Sequence, residues 1–216
     1  EHRIGLVKGL AVTGYGGVLL DIEVAVVPGK GKLILTGLLG DWLKESATAA
    51  FSYIRSRATH LGLEEDFYEK VDCHIHYPGS SARTDGPSAG LAMATAMVSA
   101  LTNLPVNRNL AMTGEITLRG RALQIGGLKE KVLAAHRGGI THVLIPVSNE
   151  KDLPDIPNAV KEQITITPVK HMDQVLEHAI VREGNRSVFR VPPPVDGLVS
   201  VENNEESSTP VDAPVS

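Results

Sequence analysis

SAGLAMATAMVSAL, residues 88–101, is apolar on nearly every side of a helix. A surface helix keeps a polar face, so this one must sit inside the core with the rest of the chain wrapped round it. Outward from it the sequence alternates between strand and helix signals. Gly5–Val12 and Val18–Val27 are β-rich and flank TGYGG, which reads as a hairpin turn. PGKGK marks a turn before a third short strand, Leu33–Thr36. Asp41–Leu61 repeats apolar residues at helical spacing behind Asp41, the expected N-cap. Val71–Tyr77 alternates as a strand, and Ala111–Ile125 reads as a hairpin turning at Arg119–Gly120. Leu128–His136 and Met172–Ile180 are expected helices, with strands at Val143–Ile145 and Ile164–Val169. Helices and strands in this irregular order predict a single compact α+β domain rather than a regular βαβ array.

Composition narrows the class without naming a chemistry. The 216 residues carry 21 Lys and Arg against 25 Asp and Glu, a net charge of -4, so a basic nucleic-acid groove is not expected. Hydrophobic residues at 42% and charged residues at 21% exclude wholesale disorder. Cys73 stands alone and cannot form an internal disulfide, which fits a reducing compartment. No apolar run approaches the ~20 residues that span a bilayer, so no membrane partner is expected. The chain opens at Glu1 rather than Met, which suggests a piece of something longer.

Charge and proline divide the chain at about residue 181. From Val181 onward there are three basic and six acidic residues, and five of the 13 prolines. Residues 1–181 read as the domain and 182–216 as a Pro-rich acidic tail. VENNEESSTPVDAPVS has few groups to bury and is expected to be disordered. SVFRVPPPVDGLV either lies extended on the body with Phe189 as anchor or stays solvated.

Ser88 stands where the loop PGSSARTDGPSAG, residues 78–90, meets the buried helix. Unpaired N–H groups and the positive end of the helix dipole favour a developing oxyanion there, and the Ser88 N–H is the natural donor. Gly86 lets the backbone approach closely and Pro87 sets the turn. The plain alternative is an N-capping serine. GPSAG also matches the nucleophile elbow G-x-S-x-G, but that elbow needs a strand running into the turn and an Asp and His downstream. His136, His171 and His178 lie on or beside expected helices instead.

A serine without histidine needs another base, and lysine is the alternative. In GGLKEK, residues 126–131, Lys131 shares a face with Leu128 and Ala135, whereas Lys129 falls on the opposite, wet face. Taken alone, Lys131 reads more simply as an ammonium snorkelling to water. Other patterns carry less. PGSSA at 78–82 faintly resembles the phosphate loop of small-molecule kinases, and SNEK at 148–151 matches S-x-x-K in what reads as a turn. Gly31-Lys32 is followed by Leu33, so the chain has no P-loop. His74 and His76 share one strand face but lack a third ligand, and no metal is expected.

DGPSAG at 85–90, MTGEITLRG at 112–120 and GGLKEKVLAAHRGGI at 126–140 closely resemble the proteolytic domain of Lon, the ATP-dependent serine protease. LTGLLGDWLKESA at 35–47, HIHYP at 74–78 and the run from LIP to DLPDIP at 144–157 resemble it too, in unbroken order over about residues 3–180. The resemblance implies an α+β fold of the Lon protease-domain (ribosomal protein S5 domain 2-like) kind and a catalytic dyad of Ser88 and Lys131. It implies that Thr113 hydrogen-bonds the lysine and that Asp85 moves near the dyad as the site opens and closes. It further implies unfolded protein substrates, a homohexamer, and an AAA+ ATPase module in the same full-length chain that uses ATP and Mg. The implied location is the bacterial cytoplasm, with the mitochondrial matrix as alternative. The domain itself would take no cofactor. Relatives read Pro-Lys before DGPSAG, where this chain has Arg83-Thr84. The alternative is a hexamerisation or regulatory module with a closed, largely inactive site. Such a dyad requires the Lys131 pKa to fall from ~10.4 towards ~7–8.

Overall fold

The computed structural model describes residues 3–37, 40–78 and 86–194. Its first part is a long antiparallel pair, β1 (Leu6–Thr13) and β2 (Gly16–Pro28), in which Thr13 stands opposite Gly16 across the expected turn. There follow β3 (Leu33–Thr36), α1 (Asp41–Ser56), α2 (Ala58–Leu61), β4 (Val71–His76) and α3 (Gly90–Thr102). The second part contains β5 (Leu110–Met112), β6 (Glu115–Ile116), β7 (Ala122–Leu123), α4 (Leu128–Arg137) and β8 (His142–Pro146). It ends with α5 (Asn158–Lys161), β9 (Thr165–Val169) and α6 (Met172–Ala179).

Seven strands form one mixed sheet in the order β3-β4-β2-β1-β5-β8-β9, and β6 and β7 pair separately. Side chains alternate across a strand, so the central strands β2, β1, β5 and β8 feed two cores. Val7, Ile22, Met112 and Leu144 pack with α1, α3 and α6 on one face. Leu10, Ala111, Val143 and Ile145 pack with Leu128, Val132 and Ala135 of α4 on the other. The residues of α3 from Gly90 to Ser99 are all buried, as its all-round apolarity demands.

Four expectations need correcting. Gly40, not Asp41, is the N-cap of α1, and Asp41 lies in its first turn, where a negative charge suits the dipole. The stretch Asp41–Leu61 is not one helix but breaks at Arg57. The Arg57 side chain is drawn into the core by Asp173, with Nε and Nη2 donating at 3.1 and 3.2 Å, and its N–H closes a tight turn on the Ile54 carbonyl. Ser88 lies in a 3₁₀ turn, Pro87–Ala89, one step before α3 rather than in its first α-turn. Finally, 111–125 is not one hairpin: residues 110–112 join the main sheet, and only β6 and β7 turn about Arg119–Gly120.

Beyond α6 the chain folds back on the body. Val188 and Phe189 are buried, and the Arg190 N–H donates to the His60 carbonyl at 2.7 Å. VENNEESSTPVDAPVS lies outside the described residues.

The β1–β2 hairpin and α4 touch backbone to backbone. A Cβ built on Gly17 would stand 1.9 Å from the Glu130 carbonyl oxygen, next to Lys131. Gly17→Ala is therefore expected to push α4 off the sheet and destabilise the protein by about 1–3 kcal/mol, read as a lower urea midpoint. A midpoint equal to that of the unsubstituted chain would show that the contact relaxes freely.

Candidate active site

Gly86 opens the 3₁₀ turn with φ 142, a backbone conformation that L side chains rarely adopt. Pro87 follows at the first position of the turn and leaves Ser88 half-buried at its centre. The serine's backbone is anchored: its carbonyl accepts the Gly114 N–H at 2.8 Å and, at 3.5 Å, the Thr113 hydroxyl. Leu91 N–H returns the contact to the Gly114 carbonyl at 3.1 Å. Gly90 is needed for this approach, because a Cβ there would come within 2.9 Å of the Ile116 nitrogen. The PSAG segment and the MTGE segment are thus stitched together by main chain.

Thr113 follows β5 directly. Strand alternation turns Met112 towards α3, where its sulfur accepts from Thr95 at 3.3 Å, and leaves Thr113 on the α4 side. There Lys131 Nζ donates to Thr113 Oγ1 at 3.1 Å. Lys131 sits one turn into α4, on the face that Leu128 and Ala135 press against the sheet, and is only 3% exposed. Among the described residues its ammonium meets no carboxylate. Burial alone therefore acts on it and lowers its pKa from 10.5 to about 8. The ammonium has not snorkelled to water. Lys129 does face out, where it lines a cleft of about 500 Å³ with Glu130, Asp152 and Asp155.

This arrangement suits proton abstraction. The Thr113 hydroxyl donates to the Ser88 carbonyl and so offers a lone pair to Lys131, occupying one N–H of the amine. A neutral amine held this way keeps its own lone pair for a nearby hydroxyl. Ser88 Oγ has no hydrogen-bond partner among the described residues. Asp85 lies outside the described residues, as do Arg83-Thr84 and all of PGSSA except Pro78.

The histidines are engaged elsewhere. His136 Nε2 lies 2.9 Å from Gln163 Oε1, His171 Nε2 lies 2.7 Å from the Arg119 carbonyl, and the His178 ring packs edge-on against His142. Among the described residues none of these histidines is bonded to Ser88, so none of them is placed as the base of an esterase elbow. Thr36 Oγ1 takes up both His74 Nε2, at 2.8 Å, and His76 Nδ1, at 2.7 Å. The SNEK segment is part of a 3₁₀ stretch, Val147–Asp155, whose buried Asn149 exchanges two hydrogen bonds with Ile125. Sequence reasoning missed Asn149 as a support of the loop entering α4. Nothing local distinguishes it from its polar neighbours in SNEKD.

The sequence matches known proteins over most of its length. It is 62% identical to a Lon protease of Bacillus thuringiensis (strain Al Hakam) over 179 residues, 83% of this chain and 22% of the relative. It is 60% identical to Lon protease 1 of Bacillus subtilis (strain 168) over 183 residues, 85% of this chain and 24% of the relative. Lon protease 3 of Sorangium cellulosum (strain So ce56) aligns over 99% of this chain at 53% identity, covering 26% of that protein. The chain thus spans about a quarter of the length of these curated relatives. Residues 1–182 match the sequence profile described as the Lon protease (S16) C-terminal proteolytic domain, and the chain belongs to that family.

Proposed function

We propose that this chain hydrolyses peptide bonds of unfolded proteins as the proteolytic part of an ATP-dependent serine protease, with Ser88 as nucleophile and Lys131 as base. The observation that carries the proposal is a buried lysine with no carboxylate beside it among the described residues, its pKa lowered to about 8, hydrogen-bonded to a threonine whose segment also holds the Ser88 backbone.

Neutral Lys131 takes the proton from Ser88 Oγ as that oxygen attacks the scissile carbonyl. The tetrahedral oxyanion forms beside the Ser88 N–H at the head of α3, where the dipole favours negative charge. As the C–N bond breaks, the Lys131 ammonium returns its proton to the leaving amine, leaving an acyl-serine and a neutral lysine. Water, deprotonated by Lys131, then attacks the ester and releases the new carboxylate and Ser88. Thr113 holds the amine throughout, and Gly86 and Pro87 shape the serine turn.

ATP and Mg belong in this proposal to an AAA+ module of the full-length protein, since this chain has no phosphate loop. That module would feed unfolded substrate to a homohexamer in the bacterial cytoplasm or, alternatively, the mitochondrial matrix. Residues 1–181 would be the working domain and 182–216 an appendage.

The pH profile tests the base directly. The unprotonated lysine is the active form, so kcat/KM for a fluorogenic unfolded substrate should rise with pH through about 8, with about a tenth of the limit at pH 7. Sedimentation and substrate cleavage followed over one protein concentration series should show turnover growing with hexamer content. A profile already flat at pH 6 would exclude Lys131 as base, and full assembly without cleavage would favour the regulatory module.

A further inference from the structure

The β6–β7 turn, which lies between Ser88 and Lys131 in sequence, is held by a polar cluster between α1 and α6. His171 is the N-cap of α6: its Nδ1 accepts the Asp173 N–H at 3.1 Å, which requires the tautomer carrying hydrogen on Nε2. That Nε2–H donates to the Arg119 carbonyl at 2.7 Å, in the middle of the turn. Were the ring protonated, Nδ1 would instead donate to Asp173 Oδ2 at 3.2 Å, while the bond to Arg119 would persist. Behind the imidazole stand Arg57, 1% exposed, in a two-pronged contact with Asp173, and Tyr53, whose hydroxyl donates to the same carboxylate. Burial works against the Asp173 anion, but hydrogen bonds from a protonated His171, from Arg57 and from Tyr53 outweigh it and bring its pKa down to about 2.

The turn has no slack against this cluster. A Cβ on Gly120, at φ +84, would lie 2.7 Å from both the His171 and the Tyr53 rings. Met172 N–H donates to the Gly120 carbonyl at 2.7 Å, and Ala122 N–H to the Lys170 carbonyl at 2.9 Å. From the turn, β6 leads in two residues to Gly114 and Thr113, whose contacts hold the Ser88 carbonyl and the Lys131 amine.

We propose that His171 is a positioning residue for the peptidase reaction: by clamping the Arg119–Gly120 turn it sets the β6 segment and, through Thr113 and Gly114, the placement of Ser88 against Lys131. The proposal rests on the dyad assigned above. The clamp and the helix cap are separable, because they use different ring nitrogens. His171→Asn keeps an acceptor for the Asp173 N–H but falls short of Arg119. His171→Gln reaches Arg119 with its amide N–H but loses the cap.

The test compares both variants in the 216-residue chain by hydrogen exchange and by turnover of the fluorogenic unfolded substrate. In His171→Asn the Gly114 amide should exchange about tenfold faster, the equilibrium equivalent of one net hydrogen bond. Its kcat should fall roughly 10-fold or more at little-changed KM, since small misplacements of reacting groups are costly. His171→Gln should restore Gly114 protection and kcat while showing the lower thermal midpoint of an uncapped helix. Should His171→Asn fold but exchange Gly114 at the parent rate, the clamp is wrong whatever the activity. Unchanged kcat in an active protein would sink the positioning role equally. If the parent chain does not cleave the substrate at all, the peptidase assignment fails, and faster exchange at Gly114 would still uphold the clamp.

Discussion

Ser88→Ala is expected to lower kcat on an unfolded substrate by about 10⁴-fold or more, to the level of adventitious hydrolysis, without a matching change in the thermal midpoint. Lys131→Met should fall to the same floor, and the double variant should be no worse than either single one. The reason is that nucleophile and base act as one unit: a serine hydroxyl with no base stays protonated, and a base with no nucleophile has nothing to activate. Ser88 is half-buried and makes its contacts to Gly114 and Thr113 through its carbonyl, so removing Oγ leaves the fold's hydrogen bonds in place. Turnover retained in either single variant, measured against a preparation lacking copurified proteases, would remove that residue from the chemistry.

The same lysine should destabilise the protein. Burial that lowers the Lys131 pKa from 10.5 to about 8 imposes a penalty of about 3 kcal/mol on the ammonium relative to the unfolded chain. Below pH 8 both folded and unfolded chains carry the proton, and the full penalty is present. Between pH 8 and 10.5 the unfolded chain binds a proton that the folded one does not, so stability rises with pH through this window. Lys131→Met, apolar and of similar length, should therefore be more stable than the parent by about 2–3 kcal/mol at pH 7. The gap should narrow steadily as urea unfolding is repeated from pH 8 towards pH 10. A variant that is less stable than its parent at pH 7 would mean that the ammonium is well solvated in the fold, contrary to its burial. An inactive but stabilised Lys131→Met would instead be the mark of a site held at the expense of stability.

Much of this site was legible in local sequence. The apolar periodicity of 88–101 required a buried helix, and the glycines and proline before it put Ser88 at the head of that helix. Spacing on GGLKEK separated Lys131, facing the core, from Lys129, facing water, because a helix repeats its faces every three to four residues. Those inferences need only short-range geometry. The break at Arg57 was not legible, since an arginine in a good helical run carries no local signal of a stop. It is pulled aside by Asp173, 116 residues later. The splitting of 111–125 had the same origin: Leu110–Met112 is a strand of the main sheet because β1 and β8 flank it.

What the sequence by itself determined was the local placement of the two proposed reactive residues, Ser88 just before the buried helix and Lys131 on the core-facing side of α4. What only the tertiary structure decided was their environment. Thr113 meets Lys131 because β5 lies beneath α4. Lys131 loses water because two layers close over it, and the β6–β7 turn rests on His171 because α1 and α6 converge there. Burial and contact between distant segments set a pKa and an orientation, and neither is a property of neighbours along the chain.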